Sequence, residues 1–408
     1  MHTEIGGKKL FMMLLKKRMA KSVVFLNSHP IQYFTPLYTK ICNRTSIDLE
    51  VLFCSDEYVK GVVDQEFGIK VKWDIPILEG YSYTFLKNQS LIPSISKGFW
   101  GLLNLGIINY LRKKPNSIII IHGWGYATHM LTIIIAKFLG HTVCLRAETP
   151  WNQELLKNKV TTKLKHILLK TIFSRIDYFL FIGKQNRRFY EKLGVDHSKL
   201  LFAPYCVNND FFKSFSNNIN NNLKSELGIS TSKKIVLFSG KYIHKKRPLD
   251  LIHAFNLIKD NSDSILIMVG DGELRLKMEA LINTYKLNER VILTGFINQS
   301  KIPAYYAIAN VFVMCSDIGE TWGLSVNEAM NFGTPIIVSD LTGCSDDLVS
   351  EGINGFKFKV GDINALANSI QYGLNFTELQ LKECSKKNSE LLRIYDYQTV
   401  IQTIQKLI

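Results

Sequence analysis

The sequence predicts an α/β protein with two doubly wound, Rossmann-like domains that face a central cleft. The chain has 408 residues, roughly two to three times the usual length of one domain. Its short apolar runs alternate with longer segments of helical period, which is the pattern of parallel βα units. Each run is continuously apolar, as strands are when helices cover both faces of a sheet. A content of 46% apolar residues with only 10 prolines excludes disordered and collagen-like proteins.

Ten apolar runs are predicted as strands. They lie at residues 22–27, 49–54, 117–121, 142–146 and 177–182 in the first half, and at residues 235–239, 264–269, 290–294, 311–314 and 335–338 in the second. An asparagine-rich stretch at 217–222 lacks hydrophobic period and marks the seam between the domains. The predicted units are an N-terminal extension (1–18), a first domain (19–210), a second domain (211–388) and a C-terminal helix (389–408) that folds back towards the first domain.

The excess positive charge lies in the first half of the chain. Residues 1–215 contain 30 Lys and Arg against 15 Asp and Glu, whereas residues 216–408 contain 20 of each kind. This split indicates that one domain faces an anionic partner, such as a phosphate-bearing substrate or an anionic membrane surface. Nucleic acid is not expected as a partner, because the chain has neither a nucleic-acid-binding motif nor interleaved aromatic and basic residues.

We expect a cytoplasmic protein that touches the inner face of the membrane peripherally. The longest apolar runs have fewer than the 18 residues that a membrane span needs. The apolar stretch at 10–15 is too short for a signal-peptide core, so residues 1–18 are interpreted as an upstream extension of the reading frame, with a membrane-touching tail as the alternative. The seven scattered cysteines include no Cys-x-x-Cys pair and fit a reducing compartment.

The most specific cluster of residues lies between 315 and 335. A predicted strand ends at 314, a loop with Glu320 and Gly323 follows, and a helix is predicted to begin near Leu324. The start of a helix offers unpaired N–H groups to a phosphate, and Gly323 permits close approach of the backbone. Glu328, about one turn inside the helix, can accept hydrogen bonds from a ribose diol. The alternative is that one glutamate only favours the helix dipole and the other is solvated.

This stretch resembles the retaining glycosyltransferases of family 4, also called group 1 glycosyltransferases, whose Glu-x7-Glu motif Glu320 and Glu328 reproduce. Further segments similar to the family lie at residues 28–38, 67–81, 204–212, 238–255, 269–272, 294–296 and 352–355. The resemblance implies a glycosyltransferase-B fold, with an acceptor-binding first domain and a second domain that binds the nucleotide-sugar donor.

The resemblance also implies which residues hold the donor and perform the reaction. The expected donor-binding residues are Gly240, Lys241, Lys246, Phe296, Trp322, Gly323, Leu324, Ser325 and Glu328. Glu320, Lys246 and His122 are the expected catalytic residues, and the two lysines would neutralise charge on the leaving diphosphate. No metal ion and no cofactor is expected, because the chain lacks Asp-x-Asp and the nucleotide sugar serves as co-substrate. Lys241 departs from the family's commoner Arg, keeping the charge but losing the bidentate fork.

In the first domain, polar residues at predicted strand ends are the candidates. His122 follows the strand at 117–121 and is expected to face the cleft, where relatives place a histidine against the transferred sugar. His29, Arg146 and Glu148 are expected as acceptor contacts. The alternative for His122 is a polar loop residue without a role. The Ser-His-Pro loop around His29 departs from the Gly-Gly loop of many relatives, which puts the family's acceptor contacts in question.

Residues 154–175 have the period of a basic amphipathic helix. Its apolar residues recur at helical spacing and are Leu155, Leu156, Val160, Leu164, Ile167, Leu168 and Ile172. We interpret this stripe as part of the hydrophobic core, with contact to a membrane surface as the alternative.

The sequence therefore predicts a retaining, metal-independent hexosyltransferase that moves a sugar from a nucleotide sugar to a saccharide or lipid-linked acceptor, in bacterial surface polysaccharide biosynthesis. Two alternatives share the fold: a nucleotide-sugar epimerase, and a non-catalytic nucleotide-sugar-binding protein. The epimerase needs its own base and acid at the anomeric and C2 positions, and the pair of glutamates with two lysines argues against it. Slow hydrolysis of the donor would separate the transferase from the binding protein.

Overall fold

The computed structural model describes residues 21–61, 63–64, 69–70, 74–216, 222–260 and 262–408. The predicted extension at 1–18 and all but the last residue of the asparagine-rich seam lie outside these residues. Within the described ranges, no helix is both long enough and apolar enough to cross a membrane.

The first domain is built on a sheet of seven strands in the order β5-β2-β1-β6-β7-β8-β9. In chain order the strands of this half are β1 (Val23–Asn27), β2 (Leu49–Phe53), β3 (Val63–Asp64), β4 (Ile69–Lys70), β5 (Ser82–Phe85), β6 (Ile118–His122), β7 (Thr142–Arg146), β8 (Tyr178–Phe181) and β9 (Leu200–Phe202). Its helices are α1 (Thr35–Arg44), α2 (Glu57–Lys60), α3 (Gly106–Lys113), α4 (Ala127–Phe138), α5 (Trp151–Glu154), α6 (Lys159–Phe173) and α7 (Lys184–Lys192). Neighbours in the large sheet are parallel, whereas β3 and β4 form a separate antiparallel pair.

The second domain is built on a parallel sheet of six strands in the order β12-β11-β10-β13-β14-β15. The strands are β10 (Lys234–Ser239), β11 (Ser264–Val269), β12 (Val291–Leu293), β13 (Val311–Met314), β14 (Ile336–Ser339) and β15 (Gly355–Phe358). The helices of this half are α8 (Asn209–Ser216), α9 (Asn222–Glu226), α10 (Pro248–Ile258), α11 (Arg275–Thr284), α12 (Ile302–Ile308), α13 (Leu324–Met330), α14 (Ser345–Leu348), α15 (Ile363–Leu374), α16 (Glu378–Ile394) and α17 (Tyr397–Gln405). The predicted pair of doubly wound, Rossmann-like sheets is confirmed.

The core joins the two domains. One face of the first sheet packs against α3 and α4 and forms a hydrophobic cluster within the first domain. One face of the second sheet packs against α10 and α15 and forms a cluster within the second domain. The opposite faces of both sheets contribute to a single buried cluster, in which Phe34 and Tyr205 of the first domain are combined with Trp322 and Tyr306 of the second. Burial of apolar surface therefore stabilises the association of the domains as well as each domain.

The buried interface also contains a carboxylate. Asp347 is 7% exposed and accepts hydrogen bonds from the backbone N–H of Lys184, at 3.0 Å, and from the Tyr395 hydroxyl, at 2.7 Å. Burial raises the pKa of Asp347 to about 6, and these hydrogen bonds only partly oppose the shift.

The C-terminal segment consists of two helices rather than the single predicted one. Helix α16 begins before the predicted boundary at 389 and packs against α13 of the second domain. The side chain of Asp396 then accepts from the N–H of Gln398 and caps a new helix, which divides the predicted one. Helix α17 packs against α1 and β9 of the first domain, and the Tyr397 hydroxyl donates to the carbonyl of Tyr33 at 2.7 Å.

The interpretation of the amphipathic stripe as core is wrong. Six of its residues are 56–68% exposed: Leu155, Leu156, Val160, Leu164, Ile167 and Leu168. Helix α6 begins at Lys159 because Asn158 accepts from two backbone N–H groups there, and it packs inward through Leu169 and Phe173. The hydrophobic period correctly predicts an apolar face on this helix. The side chains that pack into the core, Leu169 and Phe173, lie on a different and narrower face.

Candidate active site

A cleft with a volume of about 440 Å³ separates the two domains. Its first-domain wall includes His29, Tyr33 and Tyr205, and its second-domain wall includes Lys246 and Glu320. Both walls are formed where parallel strands end, which is the expected ligand position in doubly wound sheets.

Helix α13 begins at the floor of the cleft. Gly323, its N-cap, has a φ of +103°, and a Cβ there would lie 2.6 Å from Sδ of Met314. Glycine is therefore required both for the backbone conformation and for the close approach to β13. The residues that follow, Leu324 and Ser325, line the cleft as the sequence predicts.

Lys246 and Glu320 form an ion pair across the cleft floor. Their side chains are only 15% and 13% exposed, and Ser316 lies 3.5 Å from the same carboxylate. Lys246 belongs to a short 3-10 turn after β10, and the next residue, Arg247, pairs with Asp317 at 3.0 Å. The structure thus brings together two residues that are 74 positions apart and that the sequence assigned to catalysis.

Glu328 is buried, and its carboxylate is surrounded by neutral donors. It accepts hydrogen bonds from the hydroxyl of Tyr306 at 2.7 Å, from the hydroxyl of Tyr33 at 3.2 Å and from the amide of Gln299 at 3.3 Å. Burial raises the pKa of Glu328, which the three hydrogen bonds oppose. The sequence analysis predicted none of these three partners. Tyr33 lies in a segment that resembles the family, but Gln299 and Tyr306 lie outside every such segment.

The other predicted donor residues divide into two groups. Gly240, Lys241 and Phe296 line the cleft. Trp322 also reaches the cleft but is 2% exposed, and its indole N–H donates to Asn327 at 2.9 Å. Its ring lies 5.5 Å from that of Tyr395, so Trp322 mainly fixes the loop before α13.

His29 lies in the cleft beside the donor residues. Its ring stacks on that of Tyr58, with 4.8 Å between the centroids, and Ser28 lies within hydrogen-bonding distance of Nδ1 at 2.9 Å. Burial lowers the pKa of His29 to about 4, so its imidazole is neutral at pH 7.

His122, Arg146 and Glu148 line a separate recess of about 330 Å³ in the first domain. His122 and Arg146 are register partners at the ends of β6 and β7. Thr321 belongs to the walls of both cavities, so the recess adjoins the cleft there. The structure therefore places His122 in this recess, beside the cleft that the sequence predicts it to face.

Polar atoms in the recess lack partners. Nε2 of His122, Nη1 of Arg146 and both ring nitrogens of His129 are buried without a hydrogen bond. Glu148, in contrast, accepts from the hydroxyls of Tyr205 and Thr321. Burial and the nearby Arg146 hold the pKa of His122 well below its usual value, so the imidazole offers one donor and one acceptor.

The described residues contain no group of three or more His, Cys, Asp or Glu side chains arranged to hold a metal ion.

The second half of the chain is similar to a known family. Residues 220–388 match the family model described as glycosyl transferases group 1. The N-acetyl-alpha-D-glucosaminyl L-malate synthase of Bacillus anthracis is 30% identical over 157 residues, which are 38% of this chain and 40% of that protein. The alpha-monoglucosyldiacylglycerol synthase of Acholeplasma laidlawii is 32% identical over 33% of this chain and 34% of its own length. The similarity to these curated relatives thus spans about a third to two fifths of their length.

Solved structures match almost the whole fold. Anabaena Alr3699/HepE in complex with UDP superimposes with a TM-score of 0.73 and 16% identity, over 95% of this chain and 99% of that one. The lipopolysaccharide outer core galactosyltransferase WaaB superimposes with a TM-score of 0.63 and 14% identity, over 95% and 100%. At these identities the likeness is one of fold.

Proposed function

We propose that this chain, whose residues 220–388 form a group 1 glycosyltransferase domain, transfers a hexosyl unit from a nucleotide sugar to a saccharide or lipid-linked acceptor, with retention of anomeric configuration and without a metal ion. The observation that carries the proposal is the cleft, in which Lys246, Glu320 and Glu328 meet between two doubly wound domains.

The donor lies along the second-domain wall in this proposal. Glu328 accepts hydrogen bonds from the ribose hydroxyls, in the position where Tyr33 now donates to it. Lys241 and Lys246 face the diphosphate. A structural neighbour was solved with UDP, so UDP-hexoses are the first donors to test.

The reaction breaks the bond between the anomeric carbon and the diphosphate oxygen and forms a bond from the same carbon to a hydroxyl oxygen of the acceptor. The proton of that hydroxyl passes to the leaving diphosphate. Negative charge develops on that diphosphate oxygen, and Lys241 and Lys246 supply the compensating positive charge. Because these lysines perform the task that a metal ion performs elsewhere, turnover should persist in EDTA. Retention is supported by the Glu-x7-Glu spacing shared with the retaining family and is read from the anomeric configuration of the product.

The acceptor occupies the recess beside Thr321. Arg146 and the two neutral histidines, His122 and His129, have unpartnered donor and acceptor atoms, which is the combination that hydroxyl-rich saccharides satisfy. His29 lies in the cleft with the donor residues, and we assign it to the junction of donor and acceptor. A lipopolysaccharide galactosyltransferase among the structural neighbours supports a surface saccharide as acceptor.

The exposed face of α5, α6 and their connection rests on an anionic membrane in this proposal. Six apolar side chains are exposed there, and Lys159, Lys163, Lys170 and Lys192 line a cavity of about 420 Å³ beside them. Apolar insertion combined with basic residues is the pattern of helices that bind membrane surfaces. The relative from Acholeplasma laidlawii is named for a lipid product, which supports a location at the cytoplasmic face of the membrane.

The function is tested first by binding and then by transfer. Nucleotides and nucleotide sugars of uridine, guanosine and adenosine are screened by thermal shift, because a bound ligand raises the midpoint by mass action. The nucleotide sugar that binds is then incubated with saccharide and lipid-linked acceptors, with and without EDTA. We expect one base to be selected and its sugar to be transferred or slowly hydrolysed. Binding without turnover would favour a sensor, and interconverted free donors would favour an epimerase.

Membrane contact is tested by sedimentation with liposomes. Replacing Lys159, Lys163, Lys170 and Lys192 by Gln should reduce binding to anionic vesicles by about 1 kcal/mol for each lysine that lies near the surface. These lysines are chosen because Lys157 and Lys165 pair with buried Glu154, and their loss would disturb the fold. The matched control replaces four exposed second-domain lysines: Lys277, Lys301, Lys382 and Lys386. Equal binding of both variants would contradict the contact.

A further inference from the structure

The loop that carries Glu320 connects β13 to α13 and is held in part by its own domain. The N–H of Asp317 donates to the carbonyl of Lys245 at 2.8 Å, and the N–H of Gly343 donates to the carbonyl of Glu320 at 3.1 Å. The residue before Glu320 is Gly319, with a φ of +99°. A loop with a positive φ beside its functional residue depends on its surroundings to keep one conformation.

The first domain supplies a second set of bonds to this loop. The Gln153 oxygen accepts from the N–H of Gly319 at 2.9 Å, and its amide nitrogen donates to the carbonyl of Glu320 at 3.0 Å. The same nitrogen donates to the carbonyl of Leu341 at 2.7 Å. Gln153 is 2% exposed, so these bonds are shielded from competing water.

One side chain therefore bonds the backbone on both sides of the Glu320 α-carbon. Fixing the N–H of Gly319 and the carbonyl of Glu320 restricts the backbone dihedral angles of these two residues, and with them the direction in which the Glu320 carboxylate leaves the backbone. That carboxylate pairs with Lys246. Since Gln153 belongs to α5, the geometry of the pair depends on the contact between the domains.

We infer that Gln153 is a positioning residue, which holds the Glu320 carboxylate against Lys246 only while the two domains are together. The inference rests on the proposed transfer reaction. It gives the first domain a part in the chemistry of the second, because separation of the domains breaks the bonds from Gln153 to the loop.

Two substitutions test the amide itself. Gln153→Met keeps the length of the side chain and removes every hydrogen bond. Gln153→Glu keeps the acceptor but places a carboxylate against two carbonyl oxygens. At lower pH this carboxyl protonates and regains one donor, because burial raises the pKa of a carboxyl group. The matched control is Lys184→Met, since the Lys184 ammonium also crosses the interface, to the carbonyl of Asp346, and does not bond the Glu320 loop.

The first measurement is amide hydrogen exchange on peptides that contain Gly319, which needs no substrate. We expect exchange to rise at least tenfold in Gln153→Met and to stay within twofold in Lys184→Met, because loss of a hydrogen bond permits local opening. Unchanged exchange in Gln153→Met would show that Gln153 does not hold the loop and would overturn the inference.

The second measurement compares UDP binding with turnover of the donor found by screening. We expect Gln153→Met and Gln153→Glu to lower kcat at least tenfold while the Kd for UDP stays within twofold. As the pH falls from 7.5 to 5.5, the kcat of Gln153→Glu should recover relative to that of the unmodified protein. Equal losses in kcat and UDP affinity, or no recovery at low pH, would make the residue merely structural. If the unmodified protein turned over no donor, the proposed function would fall, and hydrogen exchange would still decide whether Gln153 holds the loop.

Discussion

The cleft floor in the second domain and the recess in the first domain handle buried polar groups in opposite ways. On the cleft floor Lys246 is paired with Glu320, and Glu328 accepts three hydrogen bonds. In the recess Arg146 and two histidines keep buried nitrogen atoms without partners. A buried polar atom without a partner costs about 1–3 kcal/mol.

The difference shows which part of the site is complete before a ligand binds. The cleft floor is preorganised, and the phosphate of the proposed donor would have to compete with Glu320 for Lys246. The recess becomes fully hydrogen-bonded only when water or a ligand fills it. Changes on the floor should therefore affect chemistry and nucleotide binding, and changes in the recess should affect only the other substrate.

The largest effect is expected from Lys246→Ala, which would remove half of the pair on the floor. Turnover should fall about 10²–10³-fold, the usual loss when one group that stabilises transition-state charge is removed. The Kd for the donor should change much less, because charge on the leaving group grows in the transition state. Steady-state kinetics together with calorimetry measure both quantities. Equal losses in the two would show that Lys246 acts in ground-state binding.

Asp347 sharpens the comparison, because it is a buried carboxylate with neutral partners, like Glu328, but lies outside the cleft. Its folded pKa of about 6 exceeds the usual value of 3.8. The contribution to stability is therefore fully present below pH 4 and is lost as the pH rises through 6. The loss amounts to about 3 kcal/mol, from 1.36 kcal/mol for each pKa unit.

Asp347→Asn should remove this dependence on pH. Thermal midpoints of the variant and the unmodified protein are measured from pH 4 to 7. As the pH rises, the midpoint of the variant should increase relative to that of the unmodified protein. A difference between the two midpoints that does not change with pH would contradict a raised pKa at this position.

Glu328→Ala tests whether the hydrogen-bonded carboxylate on the floor binds the nucleotide. Loss of a charged acceptor for the ribose hydroxyls should weaken nucleoside diphosphate binding by about 1.5–3 kcal/mol, which is roughly 10- to 150-fold in Kd. Glu328→Gln, which keeps the volume, should lose less. Isothermal calorimetry with UDP and the other nucleotides gives the values, and unchanged affinity would remove Glu328 from the ribose site.

The smallest effect is expected in the recess, from Arg146→Met. This change keeps the unbranched stem of the side chain but removes the guanidinium, which lies over Phe34 and Tyr205 and carries the unpartnered nitrogen. The KM for the acceptor should rise about tenfold, the lower end for a hydrogen bond to a charged group, and the Kd for the nucleotide should stay the same. A raised Kd for the nucleotide with an unchanged KM for the acceptor would reverse the assignment of the two cavities.

The same two regions show how far the sequence could predict this molecule. The predicted strands came from continuous apolar runs. The strands of the two large sheets that were missed, β5, β9 and β15, lie at sheet edges, where shorter and more exposed segments carry a weaker pattern. Glu320 and Glu328 were predictable because one short segment contains both. Gln153 and Tyr33 were not, since they reach the site from 167 and 295 positions away.

Two further differences have a physical cause. The sequence correctly predicts that His122 lies at the carboxyl end of β6. Periodicity gives no information, however, on which of the two neighbouring cavities its side chain enters. The prediction that the apolar stripe of residues 154–175 belongs to the core is wrong because hydrophobic period shows only which residues share a face. It does not show whether protein or solvent covers that face.

Helix α17 has a consequence for how the protein is made. It follows the second domain in the chain but packs against α1 and β9 of the first. Ribosomes add about 5–20 residues each second, so the nearly 200 residues between β9 and α17 take roughly 10–40 s to synthesise. During that interval the nascent first domain exposes the apolar surface that α17 later covers. Folding of the first half during translation can therefore be completed only after almost all of the second half has emerged, and this surface is a ready binding site for chaperones in the meantime.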